Sequence, residues 1–289
     1  MIFFLAYTTS QITPTQYLAY TPCFDIFQCA RLDVPLNWNS TEIDSGPRAA
    51  LAVIKLPASV DVTDESYGGA IILNPGGPGE SGVHQVLTGG PQLQIIVDSP
   101  AREGKHFDVI SFDPRGVNNT TPRLNCFPDA FAQQAWLLSL PDYGLLWSSP
   151  SVIGLEWVRA EALAASCSRV DELYGDTMLR YVNTAQTVED MLEIVERHGE
   201  WREADARRIL TTFAGHTENK EDILRRKIWA KGEEMIQYWG FSYGTLLGQT
   251  FAAMHPSRIL RMVIDGVLDA ADHYSGAYLS NLVDSDKSK

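Results

Sequence analysis

The sequence is short of the features that mark several protein classes. Basic residues are outnumbered: 23 Lys and Arg stand against 36 Asp and Glu, a formal charge of −13. Binding nucleic acid needs a basic face, so a nucleic acid is not expected as a partner. The basic clusters that do occur, Arg202, Arg207, Arg208 and Arg225-Arg226-Lys227, are interleaved with acids and read as solvated helix faces. No apolar run approaches the ~18 residues of a membrane span. The start, Met1 to Tyr7, is apolar but short. It has no Lys or Arg before it and no small-residue cleavage pattern after it, so it does not read as a signal peptide. Cysteine is scarce as well. Cys23, Cys29, Cys126 and Cys167 form no CxxC pair, and no histidine lies at zinc-like spacing, so no metal site is expected.

What remains is ordinary globular material. With 289 residues, 45% of them hydrophobic and 20% charged, the chain can bury a large core. One α/β domain with an insertion fits that length, as do two small domains. Two features hint at secretion: the acidity, and three Asn-x-Ser/Thr sequons at Asn39, Asn118 and Asn119. An even cysteine count permits two bridges, and Cys23 and Cys29 enclose a loop short enough to close locally. Four buried thiols are the alternative.

Along the chain, residues 1–47 read as an irregular segment punctuated by Pro14, Pro22, Pro35 and Pro47. Strands are expected at 49–56, 70–73, 107–112, 235–239 and 259–264. Helices are expected at 151–173, with Ile153, Trp157, Leu163 and Leu173 among its apolar positions, and at 184–198 and 245–254. In the 184–198 helix, Thr187 and Asp190 offer a start of capping-box type, and Val188, Met191, Leu192 and Val195 form the stripe to be buried. Residues 199–233 are charged and read as a helical insertion. The alternation of strand and helix predicts an α/β fold with a mostly parallel sheet over 48–266.

The chemistry centres on Ser242 in Gly240-Phe241-Ser242-Tyr243-Gly244. The bare pattern is weak, but a strand precedes it and a helix follows, the context of a nucleophile elbow. The turn is tight enough to favour glycine on both sides of a serine pushed out at the top of the sheet. Asn74-Pro75-Gly76-Gly77-Pro78-Gly79 ends an earlier strand. Acyl transfer needs two N–H donors for the oxyanion, and here they are expected from Gly77 and Tyr243. The glycine loop lacks the GK[ST] ending of a P-loop, and Pro78 interrupts the turn that a dinucleotide fingerprint requires, so no cofactor is expected. Asp113-Pro114-Arg115-Gly116 ends a strand at the same sheet edge; Asp113 and Arg115 are candidates for contact with substrate, but a structural ion pair holding the loops is the expectation. Glu80 and Ser81 lie beside the glycine loop as candidates for contact with substrate, and Ser81 can equally cap the following helix.

Three segments together resemble a family. NPGGPGESG (74–82), FDPRG (112–116) and GFSYGT (240–245) are similar to the tripeptidyl-aminopeptidase-like branch of the α/β-hydrolase fold, related to the proline iminopeptidases. The stretch Tyr20 to Trp38 resembles its fungal members. The resemblance runs over nearly the whole chain from about residue 17. It implies a secreted or vesicular serine exopeptidase acting on peptides with free N-termini, with Ser242 as nucleophile and Gly77 and Tyr243 as oxyanion hole. It also implies the pairings Cys23–Cys29 and Cys126–Cys167.

The chain departs from that pattern in two ways. NPGGPG stands where relatives carry HGGPG. The fold also orders its triad as Ser, acid, His, with the His late, yet a single strand is expected after the elbow. Residues 267–289 read as the start of a truncated cap domain. The sheet is then incomplete at its C-terminal side and the acid and base lie outside the chain. Asp265, Asp269, Asp272 and His273 follow the elbow in a permissible order, but Asp272 and His273 are adjacent and ill placed for a relay. His255 is expected at a helix end and His84 at the surface. Two other readings share the sequence: a non-catalytic remnant or interaction protein, and a carboxylester hydrolase. The oligomeric state is not legible.

Overall fold

A computed structural model describes residues 11–43, 45–98, 104–124, 126–139, 148–174, 178–212 and 218–276. Its frame is a seven-stranded sheet of β1 (Thr21–Cys23), β2 (Phe27–Pro35), β3 (Arg48–Leu56), β4 (Tyr67–Asn74), β5 (His106–Phe112), β6 (Ile236–Phe241) and β7 (Ile259–Asp265). The spatial order is β1-β2-β3-β5-β4-β6-β7. β5, β4, β6 and β7 run parallel to one another, while β1, β2 and β3 add an antiparallel wing on β5. Helices fill the connections: α1 (Gly82–Val97), α2 (Ala130–Leu138), α3 (Pro150–Tyr174), α4 (Met178–Tyr181), α5 (Thr184–Thr212), α6 (Glu218–Lys227), α7 (Tyr243–Met254) and α8 (Ala270–Ser275). No described helix is long and apolar enough to cross a membrane.

Two apolar layers hold the sheet. On one face, Leu51 and Val53 of β3 and Ile110 of β5 pack against Val188, Met191 and Ile194 of α5 and Leu247 and Phe251 of α7. On the other, Ala52, Ile54 and Leu56 pack against Val83 and Val86 of α1. Alternate residues of one strand serve opposite layers, which is why β3 is buried almost end to end.

The structure corrects three sequence expectations. Residues 1–47 are not irregular throughout. Thr21–Cys23 and Phe27–Pro35 form a hairpin turned at Phe24 and Asp25, both at positive φ, and closed by the Cys23–Cys29 disulfide. Pro22 and Pro35 misled because each sits in a strand at a position that tolerates a missing N–H: the sheet-edge strand, and the last residue of β2. Nor does the helix expected at 184–198 stop there. α5 runs unbroken past Gly199, and its buried Ala206 and Ile209 pack with Val62 and Tyr67 of the core. Finally, α5 starts at Thr184, where Asn183 Oδ1 accepts the Gln186 N–H at 3.0 Å, and not at a Thr187–Asp190 box. On α3, Ile153 and Trp157 are exposed, while Val152 is buried. Met1–Tyr7 and 277–289, the latter most of the expected cap segment, lie outside the described residues.

Candidate active site

β6 and α7 meet at Ser242, whose φ of 52° and ψ of −122° no ordinary L-residue adopts without cost. Its neighbours hold it there. The Ser242 N–H donates to Asp265 O of β7 at 3.0 Å. The Ser242 carbonyl accepts from both the Thr245 N–H at 2.9 Å and Thr245 Oγ1 at 2.6 Å. Thr245 Oγ1 in turn accepts the Leu268 N–H at 2.8 Å, tying the elbow to the segment after β7. The glycine requirement is steric. A Cβ on Gly240 would lie 2.4 Å from Gly244 O, and one on Gly244 2.6 Å from Asn74 O. The serine side chain is exposed, and among the described residues it has no hydrogen-bond partner.

The glycine loop comes to the elbow through Gly76. A Cβ there would lie 2.5 Å from Phe241 O and 2.8 Å from Tyr243 N, and its φ is +99°. Gly77 follows at φ +109°, joined to Pro78 by a cis peptide. Among the described residues, neither the Gly77 nor the Tyr243 N–H has an acceptor. Asn74, where relatives of the resembled branch carry His, is fully buried. Its Oδ1 accepts the Gly76 N–H at 3.0 Å, and its Nδ2 has no acceptor among the described residues. A cleft of about 610 Å³ opens beside the elbow, with Asn74, Gly76, Pro78, Asn118, Thr184 and Tyr243 in its walls. Tyr243 OH meets Thr184 Oγ1 at 2.7 Å, and burial pushes its phenol upward.

The charges around this cleft are spent on scaffolding. Asp113 and Arg115 do not pair with each other, contrary to expectation. The Asp113 carboxylate accepts from Ser81 Oγ, the Val83 N–H, the Asn119 N–H and Asn119 Nδ2, fastening α1 to the loop after β5. Arg115 grips Asp190 of α5 with two bonds, Nε to Oδ2 at 2.7 Å and Nη2 to Oδ1 at 2.5 Å, both side chains fully buried. Trp38 Nε1 adds a third bond to Asp190 at 2.8 Å. Ser81 caps α1 by accepting the His84 N–H, and Glu80 and His84 are exposed.

The remaining candidates separate. His255 caps α7 and meets Glu189 at 3.0 Å. Asp269 caps α8 by accepting the Asp272 N–H. His273 lies in the cleft wall with its ring 5.8 Å from that of Tyr243. Asn39 is exposed, Asn118 donates to Ser81 Oγ, and Asn119 is bound to Asp113. The second disulfide, Cys126–Cys167, ties the loop before α2 to α3. Sequence reasoning missed the roles of Gly76, Asn74, Thr245 and Asp190. The first three lie within its own motifs, and the unusual Asn at the head of the glycine loop was the available signal.

The family model of the alpha/beta hydrolase fold matches residues 69–287. The chain belongs to that family. The curated relatives agree in chemistry and differ in substrate. Serine protease Hip1 of Mycobacterium tuberculosis is 28% identical over 83% of this chain and 36% of its own length. Carboxylesterase B of the same organism is 35% identical over 61% and 30%. Tripeptidyl aminopeptidase of Streptomyces coelicolor is 26% identical over 84% and 35%. The chain thus spans about a third of the length of the curated relatives it matches.

Proposed function

We propose that Ser242 is the nucleophile of a serine exopeptidase that releases short peptides or residues from free N-termini. The observation that carries the reading is the elbow: an exposed serine at φ 52°, between a buried strand and a helix, with the glycine loop packed against the next N–H. In the reaction, Ser242 Oγ attacks the scissile carbonyl and gives its proton to a general base. The oxyanion is held by the N–H groups of Gly77 and Tyr243, and the base returns the proton to the leaving amine. Water then releases the acyl group from Ser242.

The peptide substrate is supported by the motifs at 74–82, 112–116 and 240–245 and by similarity to a tripeptidyl aminopeptidase. The two disulfides and the sequons fit a secreted or vesicular setting. The fungal affinity rests on Tyr20 to Trp38 alone. The base and its orienting acid are read as lying outside the described residues, among which Ser242 Oγ has no hydrogen-bond partner. A carboxylester hydrolase is the second reading, favoured by the similarity to carboxylesterase B. Both use Ser242, and substrate profiling separates them.

The test is labelling with a fluorophosphonate probe, with Ser242→Ala as control. The 289-residue chain is expected to label weakly or not at all, and a longer chain carrying a late histidine to label through Ser242. Labelling of the longer chain that survives in Ser242→Ala would remove Ser242 from the mechanism. Strong Ser242-dependent labelling of the 289-residue chain would show that the base lies within it.

A further inference from the structure

Beneath the elbow lies a buried hydroxyl that no step of the proposed reaction touches. Tyr238 of β6 is 2% exposed, and its ring fills the space that glycines leave. A Cβ on Gly240 would lie 2.6 Å from Tyr238 Cε1, and one on Gly248 3.0 Å from it. The Tyr238 hydroxyl donates to the Gly244 carbonyl at 2.7 Å. Burial pushes this phenol up, so it keeps its proton and stays a donor.

That carbonyl starts a line of linked peptide groups. Gly244 C=O and Thr245 N–H belong to one planar peptide, and the Thr245 N–H donates to Ser242 O at 2.9 Å. Ser242 C=O and Tyr243 N–H belong to another. Ser242 O also accepts Thr245 Oγ1 at 2.6 Å, and Thr245 Oγ1 accepts the Leu268 N–H at 2.8 Å. A donor on a peptide carbonyl draws charge toward the oxygen and leaves the N–H of that peptide more positive. Bonds linked in this way strengthen one another, most of all where water is kept out. Thr245 is fully buried. Both branches end on the Tyr243 N–H, which has no acceptor among the described residues.

We propose that Tyr238 and Thr245 are positioning residues that strengthen the Tyr243 N–H as a donor to a developing oxyanion. They act through two hydrogen-bonded peptides and touch no substrate. The inference rests on the reading of that N–H as half of the oxyanion hole. The relay is assembled before reaction, so no group has to turn as charge builds on the substrate oxygen.

Amide NMR of the isotope-labelled 289-residue chain tests it, with circular dichroism confirming that each variant folds. Tyr238→Phe deletes the hydroxyl and keeps the ring between the glycines. It should move the Thr245 amide nitrogen upfield and the Tyr243 amide nitrogen the same way by less. The Gly240 amide, which meets the same ring outside the relay, should stay in place. Thr245→Val should move the Tyr243 nitrogen further than Tyr238→Phe does, and Thr245→Ser should restore it. A folded Tyr238→Phe chain with the Thr245 and Tyr243 amides unmoved, or with Gly240 moved as far, would overturn the proposal. So would a Thr245→Ser chain that does not recover. In a longer form that labels at Ser242, Tyr238→Phe should slow fluorophosphonate labelling about tenfold. An unchanged rate there would sever the relay from the oxyanion hole. The shifts are read without catalysis, so labelling that ignores Ser242 would overturn the proposed nucleophile and not the relay.

Discussion

The two ends of the parallel strands are built on opposite principles. At their C-terminal end the backbone is strained, the serine is exposed, and the charged side chains Asp113 and Arg115 are tied into scaffolding bonds. Toward the other end, about four residues or ~13 Å along β4, lies a closed knot of titratable groups. Lys55, 1% exposed, has its Nζ 3.2 Å from the centre of the Trp201 ring and 3.9 Å from Asp108 Oδ2. Tyr67 OH donates to Asp108 at 2.8 Å and meets His198 Nε2 at 3.3 Å. Burial lowers Lys55 to about 8, opposed by Asp108, and pushes His198 well down. Perturbed titration is a common marker of active sites, yet here the strongest cluster lies away from the elbow. In this protein backbone strain, not perturbed acidity, marks the candidate site.

The experiment that cuts deepest on the reactive end is Ser242→Ala. In an active longer form it should lower turnover by a factor on the order of 10⁶, measured by hydrolysis of a chromogenic peptide, while leaving the melting temperature nearly unchanged. The matching cut at the knot is Asp108→Ala. It strands a buried ammonium and should cost about 3 kcal/mol of stability by urea unfolding, with no specific effect on labelling at Ser242. Loss of labelling in a folded Asp108→Ala protein would break the separation of the two ends.

Titration sharpens it. The folded pKa of Lys55 lies below its unfolded value, so the folded chain pays to keep it charged below about pH 8. Between there and the ordinary lysine range the unfolded state binds the extra proton, and stability should rise with pH. The Lys55 contribution is on the order of 1–3 kcal/mol, read as the slope that Lys55→Met removes. At the elbow the sign is reversed for backbone change. Ser242→Gly relieves the positive φ and should stabilise by about 1 kcal/mol, although it deletes the proposed nucleophile. The smallest effect concerns modification. In a secretory host a glycan is expected on Asn39 and not on Asn119, whose amide is held by buried Asp113. Asn39→Gln should abolish the mass shift with little change in stability.

How far the sequence led can be read from particular elements. β3 to β7 and α7 were legible because each is a run of apolar residues bounded by glycine, proline or a cap. The elbow and glycine loop were legible because their steric demands admit few residues. β2 was not, because Phe27–Pro35 carries Arg31 and Asp33 within it, and its membership depends on pairing with β3. The length of α5 was hidden for a related reason: charges after Gly199 masked Ala206 and Ile209, whose partners Val62 and Tyr67 lie far away in sequence.

The sequence by itself determined the local geometry of the candidate site. Gly240, Ser242, Gly244 and the 76–79 loop encode backbone conformations through which atoms a residue carries, and that needs no distant partner. Tertiary structure alone decided which charges pair. Arg115 takes Asp190 and not Asp113 because folding brings α5 over the loop, and an ion pair's energy depends on distance and burial that spacing along the chain does not carry.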